Sequence, residues 1–187
     1  MLTGKRFLFG HMPSYCTAPN AGHFLFGDFM KIFKTISTPI GTIAVASDGD
    51  YITNIVFGND VSDATSGTSA ILDIAVSQLS EYFEGKRKIF DLPLKFYGTE
   101  FQNRVWRELQ NIPYGKTISY KELAEKTGNI KACRAVGMAN NKNPIPIIIP
   151  CHRVVGSNGN LTGYAGGLDI KKFLLDLEQT QEQISSI

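Results

Sequence analysis

SYKELAEKTGNIKACRAVGMANN, residues 119–141, decides the fold of the C-terminal half. Ser119-x-x-Glu122 is a capping-box pattern, in which serine and glutamate satisfy each other's backbone N–H groups at a helix start. It opens a short helix over Tyr120–Lys126 that stops at Gly128. After a turn at Gly128-Asn129, a second helix is expected from Ile130 to about Asn141. Asn143-Pro144 ends it, because a residue before proline is pushed out of the helical region. Two short helices joined by a glycine-containing turn read as a helix-turn-helix. The second is narrow, with Ala132, Ala135, Gly137 and Ala139, and Arg134 is its only long cation after Lys131. Helices that read the major groove usually carry several Arg, Asn or Gln. Small residues suit a minor groove only about 6 Å wide, or close packing on a neighbouring helix.

Upstream, Thr99-x-x-Gln102 is a second capping box, opening a helix with a core stripe at Phe101, Val105 and Leu109. Downstream comes Ile147-Ile-Ile-Pro-Cys-His-Arg-Val-Val155. Pro150 lacks a backbone donor, so the chain cannot pass Cys151 as an ordinary central strand. A cysteine in such a run is either a small buried hydrophobe or, with His152 beside it, a nucleophile. Gly156-Ser157-Asn158-Gly159 is flanked by Arg153–Val155 and Asn160–Thr162, which reads as a hairpin wing. A last helix is expected over Leu168–Glu178, with Ile170, Leu174, Leu175 and Leu177 toward the core. Glu178 then falls at its C-terminal end, where the helix dipole disfavours a carboxylate, so it is either paired with a partner such as His152 or a solvated terminal residue.

In the N-terminal half, Lys31–Ser37, Thr42–Ser47 and Tyr51–Phe57 read as an antiparallel meander. Asn59–Thr68 reads as a loop. Ser69–Phe83 reads as a helix with Ile71, Leu72, Ala75, Val76, Leu79 and Phe83 on one face. No constellation within residues 31–97 carries chemistry. Residues 1–30 show no periodicity and read as an extension, disordered or appended, with Met30 a candidate start. His11, Cys16 and His23 match no metal-ligand spacing, so no metal is expected. The expected organisation is α+β: an extension (1–30), a supporting domain (31–97) and a helical winged domain (98–187).

The 187 residues are 43% hydrophobic and 19% charged, a globular composition. No apolar run approaches a membrane span. Three scattered cysteines argue for a reducing compartment rather than a disulfide framework. The net charge of +2 is uneven. Residues 1–97 hold 8 Lys/Arg against 9 Asp/Glu, while residues 116–153 hold 7 Lys/Arg against 2 Glu. That basic field suits a polyanion or a solvated helix face.

Arg134-Ala-Val-Gly-Met-Ala, Asn143-Pro144, Pro150-Cys-His-Arg-Val154 and Tyr164-Ala-Gly-Gly167 follow one another in register. In this order they resemble the O6-alkylguanine-DNA alkyltransferases over about Phe101 to Glu178. The resemblance implies a small ribonuclease-H-like domain ahead of the winged helix-turn-helix. It implies a monomer that repairs O6-methylguanine, with O4-methylthymine as a second candidate, in double-stranded DNA bound through the minor groove. Cys151 matches the nucleophile, His152 the general base acting through water, and Glu178 the carboxylate that orients it. Asn143 matches the brace of the cysteine loop. Tyr120 matches the residue that helps turn the nucleotide out, and Arg134 the finger that fills the vacated stack. Ala135, Gly137 and Ser157 would lie along DNA. Val154, Tyr164, Ala165 and Gly166 would wall the pocket, with Ala165 where many relatives have serine. Lys171 and Cys133 receive no role.

No cofactor is implied, and the alkylated sulfur has no route back. The expected location is cytoplasmic, on the nucleoid in a prokaryote or in the nucleus of a eukaryote. Three other readings compete: an alkyltransferase-like damage sensor, a winged-helix regulator with a structural cysteine, and a Cys-His hydrolase.

Overall fold

The computed structural model describes residues 31–59 and 61–184. The readings of residues 1–30, including His11, Cys16 and His23, lie outside them. Three strands, β1 (Lys31–Thr38), β2 (Gly41–Ser47) and β3 (Ile52–Phe57), form the expected antiparallel meander. A fourth, β4 (Ala64–Ser66), lies inside the stretch expected to be loop and pairs parallel with β1, giving the order β3-β2-β1-β4. Its polar sequence hides it, because only backbone groups on the edge of β1 recruit it. In β2, Ile43–Ser47 is buried without alternation, the pattern of a strand covered on both faces.

Helix α1 (Ala70–Phe83) is capped by Ser69 and packs on β1 and β2. Its buried face runs through Leu72, Ala75, Gln78, Leu79 and Tyr82, leaving Ile71, Val76 and Phe83 half-buried. Sequence favoured the aliphatic stripe. The helix turns instead so that Gln78 exchanges two hydrogen bonds with the backbone of Asp91, at 2.9 Å each, and Tyr82 points inward.

Helix α2 (Glu100–Gln110) and α3 (Tyr120–Lys126) both begin in complete capping boxes, at Thr99 and Ser119. Between them, β5 (Ile118–Ser119) leads directly into α3. The expected single helix after Gly128 is a 3₁₀ turn over Ile130–Ala132 followed by α4 (Cys133–Asn141). Asn129 caps the turn by accepting from Lys131 N. Trp106 of α2 donates its indole N–H to Ala139 O at 2.8 Å and so pins α4 to α2.

The wing differs from expectation. Residues 160–162 form no strand; Val154–Val155 (β6) pairs in parallel with β5. Gly156 N to Asn160 O and Gly159 N to Gly156 O, both 2.8 Å, close the turn, with Gly159 at φ +80. The last helix, α5, runs over Leu168–Ile184, so Glu178 is not terminal and the dipole argument does not apply. Its burial comes from tertiary contacts.

One core spans both halves, from Ile43, Leu72 and Tyr82 to Val105, Ile147 and Leu174. Ile55 N of β3 donates to Pro144 O at 2.9 Å, which ties the sheet to the segment leading to Cys151. Among the described residues no helix is long and apolar enough to cross a membrane.

Ser119 Oγ accepts from Glu122 N, and Glu122 Oε2 accepts from Ser119 N. Ser119→Ala removes half of this box and should lower stability by about 0.5–2 kcal/mol. A chemical-denaturation midpoint at the wild-type value would show that packing alone sets the start of α3.

Candidate active site

Pro150 ends the apolar run, and Cys151–Arg153 form a 3₁₀ turn whose three side chains are all buried. Asn143 braces the loop that delivers them. Its Nδ2 donates to Ile149 O at 2.7 Å, and its Oδ1 accepts from Ile145 N at 3.1 Å. Asn140 Nδ2 donates to Cys151 O at 3.3 Å. Ile147 holds φ +75, a left-handed conformation for a β-branched residue, which costs about 1–3 kcal/mol. The Asn143 bonds and full burial hold it there.

Behind the cysteine, Glu178 is wholly buried and its carboxylate accepts five hydrogen bonds. Oε1 takes His152 Nε2–H at 2.8 Å, the Tyr82 hydroxyl at 2.8 Å and Arg153 Nη2 at 3.0 Å. Oε2 takes Arg153 Nε at 2.9 Å and Gly115 N at 3.0 Å. Burial alone would raise the Glu178 pKa. The hydrogen bonds from His152 and Arg153, with the Arg153 charge, override it and hold the pKa at about 2. An ionised carboxylate only accepts, so the proton of the imidazole must sit on Nε2. Burial lowers the His152 pKa more than Glu178 raises it, and the ring is neutral. Its Nδ1 keeps a free lone pair and has no hydrogen-bond partner among the described residues. Burial also pushes the Cys151 thiol up to about 11, against the opposing influence of Asn143 and Lys171. The sulfur is therefore a protonated thiol beside a neutral base.

Lys171 reaches the same turn from α5. Its buried amine donates to Val154 O at 2.6 Å and Thr162 O at 2.9 Å. Burial lowers its pKa to about 8, which Cys151 opposes. Tyr120 donates to Thr162 O at 3.1 Å, and the Lys171 amine lies 5.8 Å from its ring centre. Tyr164 is buried with its ring 5.8 Å from Phe57, and a Cβ on Gly166 would meet Phe57 Cε2 at 2.8 Å. Strand β3 thus packs against the Tyr164–Gly166 loop.

On α4, Arg134, Ala135 and Met138 face solvent, Met138 at 64% exposure. Ala139 packs inward, and Gly137 lies against the Tyr120 ring. The outer face is less narrow than composition suggests. Of the seven cations in residues 116–153, six are exposed, and Arg153 is withdrawn into the core.

Two family models cover most of the chain. Residues 31–96 match the 6-O-methylguanine DNA methyltransferase ribonuclease-like domain, and residues 100–180 match the DNA binding domain of the same family. The chain belongs to the 6-O-methylguanine DNA methyltransferase family. The methylated-DNA–protein-cysteine methyltransferase of Methanosarcina acetivorans is 49% identical over 151 residues, covering 78% of this chain and 97% of its own. The constitutive Bacillus subtilis protein of that name is 43% identical over 159 residues, covering 80% and 96%. The solved structure of Mycobacterium tuberculosis O6-methylguanine methyltransferase matches with TM-score 0.76 and 44% identity, covering 81% and 94%. A complex of the same organism's protein with DNA matches with TM-score 0.76 at 45% identity, covering 80% and 94%.

For a 6-O-methylguanine DNA methyltransferase, the structure brings Cys151, His152, Glu178, Asn143, Tyr120, Val154 and Tyr164 into one region. Ala165 is exposed beside Tyr164, and Ser157 lies on the exposed turn. Arg153, Lys171, Asn140 and Tyr82 were missed. Lys171 was readable: it shares the inner face of α5 with Leu174, Leu175 and Glu178, an odd place for a charge. Tyr82 comes from the half in which no constellation was expected to carry chemistry, and its hydroxyl reaches Glu178. A cavity of about 800 Å³ is lined by Phe90, Tyr114, Pro150 and Arg153 but not Cys151.

Because the Glu178 pKa is depressed from 4.5 to about 2, its stabilisation is complete above 4.5 and is lost as pH falls toward 2. The amount is about 3 kcal/mol. Glu178→Gln should be less stable at neutral pH, since it leaves Arg153 buried without its counter-charge, and its stability should fall less between pH 4.5 and 2. Parallel curves for the two proteins would show that Glu178 carries no such linkage.

Proposed function

We propose that this DNA-repair methyltransferase removes the alkyl group of O6-alkylguanine by transferring it to Cys151, once per molecule. The observation that carries this reading is the buried thiol followed by a neutral imidazole whose tautomer Glu178 fixes. His152 Nδ1 takes the thiol proton through a bridging water. The sulfur lone pair forms the S–C bond, the C–O6 bond breaks, and its electron pair stays on guanine O6. A proton from the Tyr120 hydroxyl neutralises the guanine, and the proton held on His152 returns to Tyr120. Charge balances without a cofactor.

O6 lies on the major-groove edge of a stacked base, so a protein docked in the minor groove must turn the nucleotide out. The exposed face of α4 supports docking there, with Arg134 as the group that enters the stack and Ala135 allowing close approach. The six exposed cations hold the phosphates, and Ser157 lies on the turn beside them. Asn143 keeps the cysteine loop in place, while Val154, Tyr164, Ala165 and Gly166 form the pocket. The chain acts as a monomer in the compartment that holds the DNA. A damage sensor would bind the same lesion without a nucleophile, and Cys151 favours the transferase.

A thioether carbon is not displaced by water or imidazole as an acyl ester is. Titration with excess O6-methylguanine duplex should therefore plateau near one methyl per protein, located on Cys151 by mass spectrometry. Cys151→Ala should bind the duplex and gain no methyl. Continued turnover, or a methyl elsewhere, rejects the assignment.

Turning a base out of duplex costs a few kcal/mol that a single strand does not demand. Arg134→Ala should slow repair of duplex at least about tenfold more than repair of single strands, a difference of about 1.4 kcal/mol in barrier. Equal slowing would reduce Arg134 to a phosphate contact.

A further inference from the structure

Tyr82 belongs to α1, in the half of the molecule that carries none of the reacting groups. It is wholly buried, in ring contact with Phe83, Phe90 and Tyr114 at 5.4, 5.5 and 6.1 Å between centroids. Two other buried tyrosines, Tyr114 and Tyr164, leave their hydroxyls without a hydrogen-bond partner among the described residues. Tyr82 does not. Its hydroxyl donates to Glu178 Oε1, the same oxygen that accepts from His152 Nε2, and both bonds are 2.8 Å. A donor that shares an acceptor oxygen draws density from its lone pairs and weakens the hold on the other donor. The hydroxyl also fixes where that oxygen sits.

We infer that Tyr82 is a positioning residue of the alkyl-transfer reaction: through Glu178 Oε1 it sets how strongly the carboxylate holds the His152 imidazole. The inference rests on reading Cys151, His152 and Glu178 as the reacting relay. Other charged groups are already committed around it. Arg153 binds both oxygens of Glu178, and Gly115 N binds Oε2. Lys171 and Arg153 both disfavour a charged His152. Glu182, one turn further along α5, faces Gly115 and Tyr114. None of these replaces a donor lost from Oε1.

The sign follows from the shared oxygen. Without the Tyr82 hydroxyl, Oε1 is the stronger acceptor and stabilises imidazolium better. His152 then keeps its proton to higher pH, and only the neutral ring can take the thiol proton. The acid limb of the pH–rate profile therefore moves up. A tyrosine that served packing alone would lower the melting temperature and leave the limb in place.

The experiment is single-turnover methyl transfer from O6-methylguanine duplex to the full chain, followed from about pH 5 to 9. Tyr82→Phe should keep a plateau of one methyl per protein and melt near wild type. Its acid limb should rise by about 0.5 pH unit or more. Phe83→Leu, which disturbs the same ring cluster, should melt lower with its limb unmoved. Site-specific 3,5-difluorotyrosine at position 82 keeps the ring and strengthens the donor, so its limb should move down; this arm decides the matter if Tyr82→Phe does not fold. An unmoved limb in both position-82 variants, or an equal shift in Phe83→Leu, overturns the inference. Absence of any methyl transfer by the wild-type protein would instead reject the reading of the relay, and the inference with it.

Discussion

A carboxylate sealed from water in the middle of a helix is the constraint on which the rest of the structure depends. Glu178 is tolerable there only because five donors from three parts of the chain converge on it: α1, the turn at Gly115, and the cysteine turn with its histidine and arginine. Taking a charge out of water costs several kcal/mol unless every lone pair is answered. Each donor therefore has to be delivered to within a few tenths of an ångström. Arg153 is spent on this task, with its third nitrogen on Ile112 O and its guanidinium 5.6 Å from the Tyr114 ring centre. It contributes nothing to the basic surface that its place in the sequence suggests.

The same demand explains why the two halves share one core. β3 holds the strained cysteine loop through Pro144 and packs on Tyr164 through Phe57, while α1 supplies the hydroxyl to Glu178. A left-handed Ile147 survives because Asn143 ties the loop on both sides of it. Reactivity here is a matter of placement. Burial holds the Cys151 thiol in its protonated form, the less nucleophilic one.

What was legible in the sequence was local. Capping boxes, the glycine stop after α3 and the meander depend on neighbours in the chain, and they appear where Ser119, Thr99 and Gly128 stand. The family motifs led to Cys151, His152, Glu178 and Asn143. What was not legible was partnership at a distance. Tyr82 and Glu178 are 96 positions apart, and nothing near either names the other. β4 has no sequence pattern of its own and exists because β1 has a free edge. The wing failed for a related reason: β6 found a better partner in β5 than in the residues across its turn. The length of α5 was misjudged because Glu178 looked like an end, when its charge is neutralised from other elements.

The protein contains one tryptophan. Trp106 is buried, edge-on to Phe96, and its indole N–H is hydrogen-bonded to a carbonyl of the helix that carries Arg134. Indole emission is sensitive to that bond and to nearby dipoles. The molecule thus carries an intrinsic optical reporter beneath α4, in a site where no dye could be attached without disturbing the packing. Movements of α4 against the rest of the protein can be watched on the unlabelled chain, with a signal that has a single structural origin.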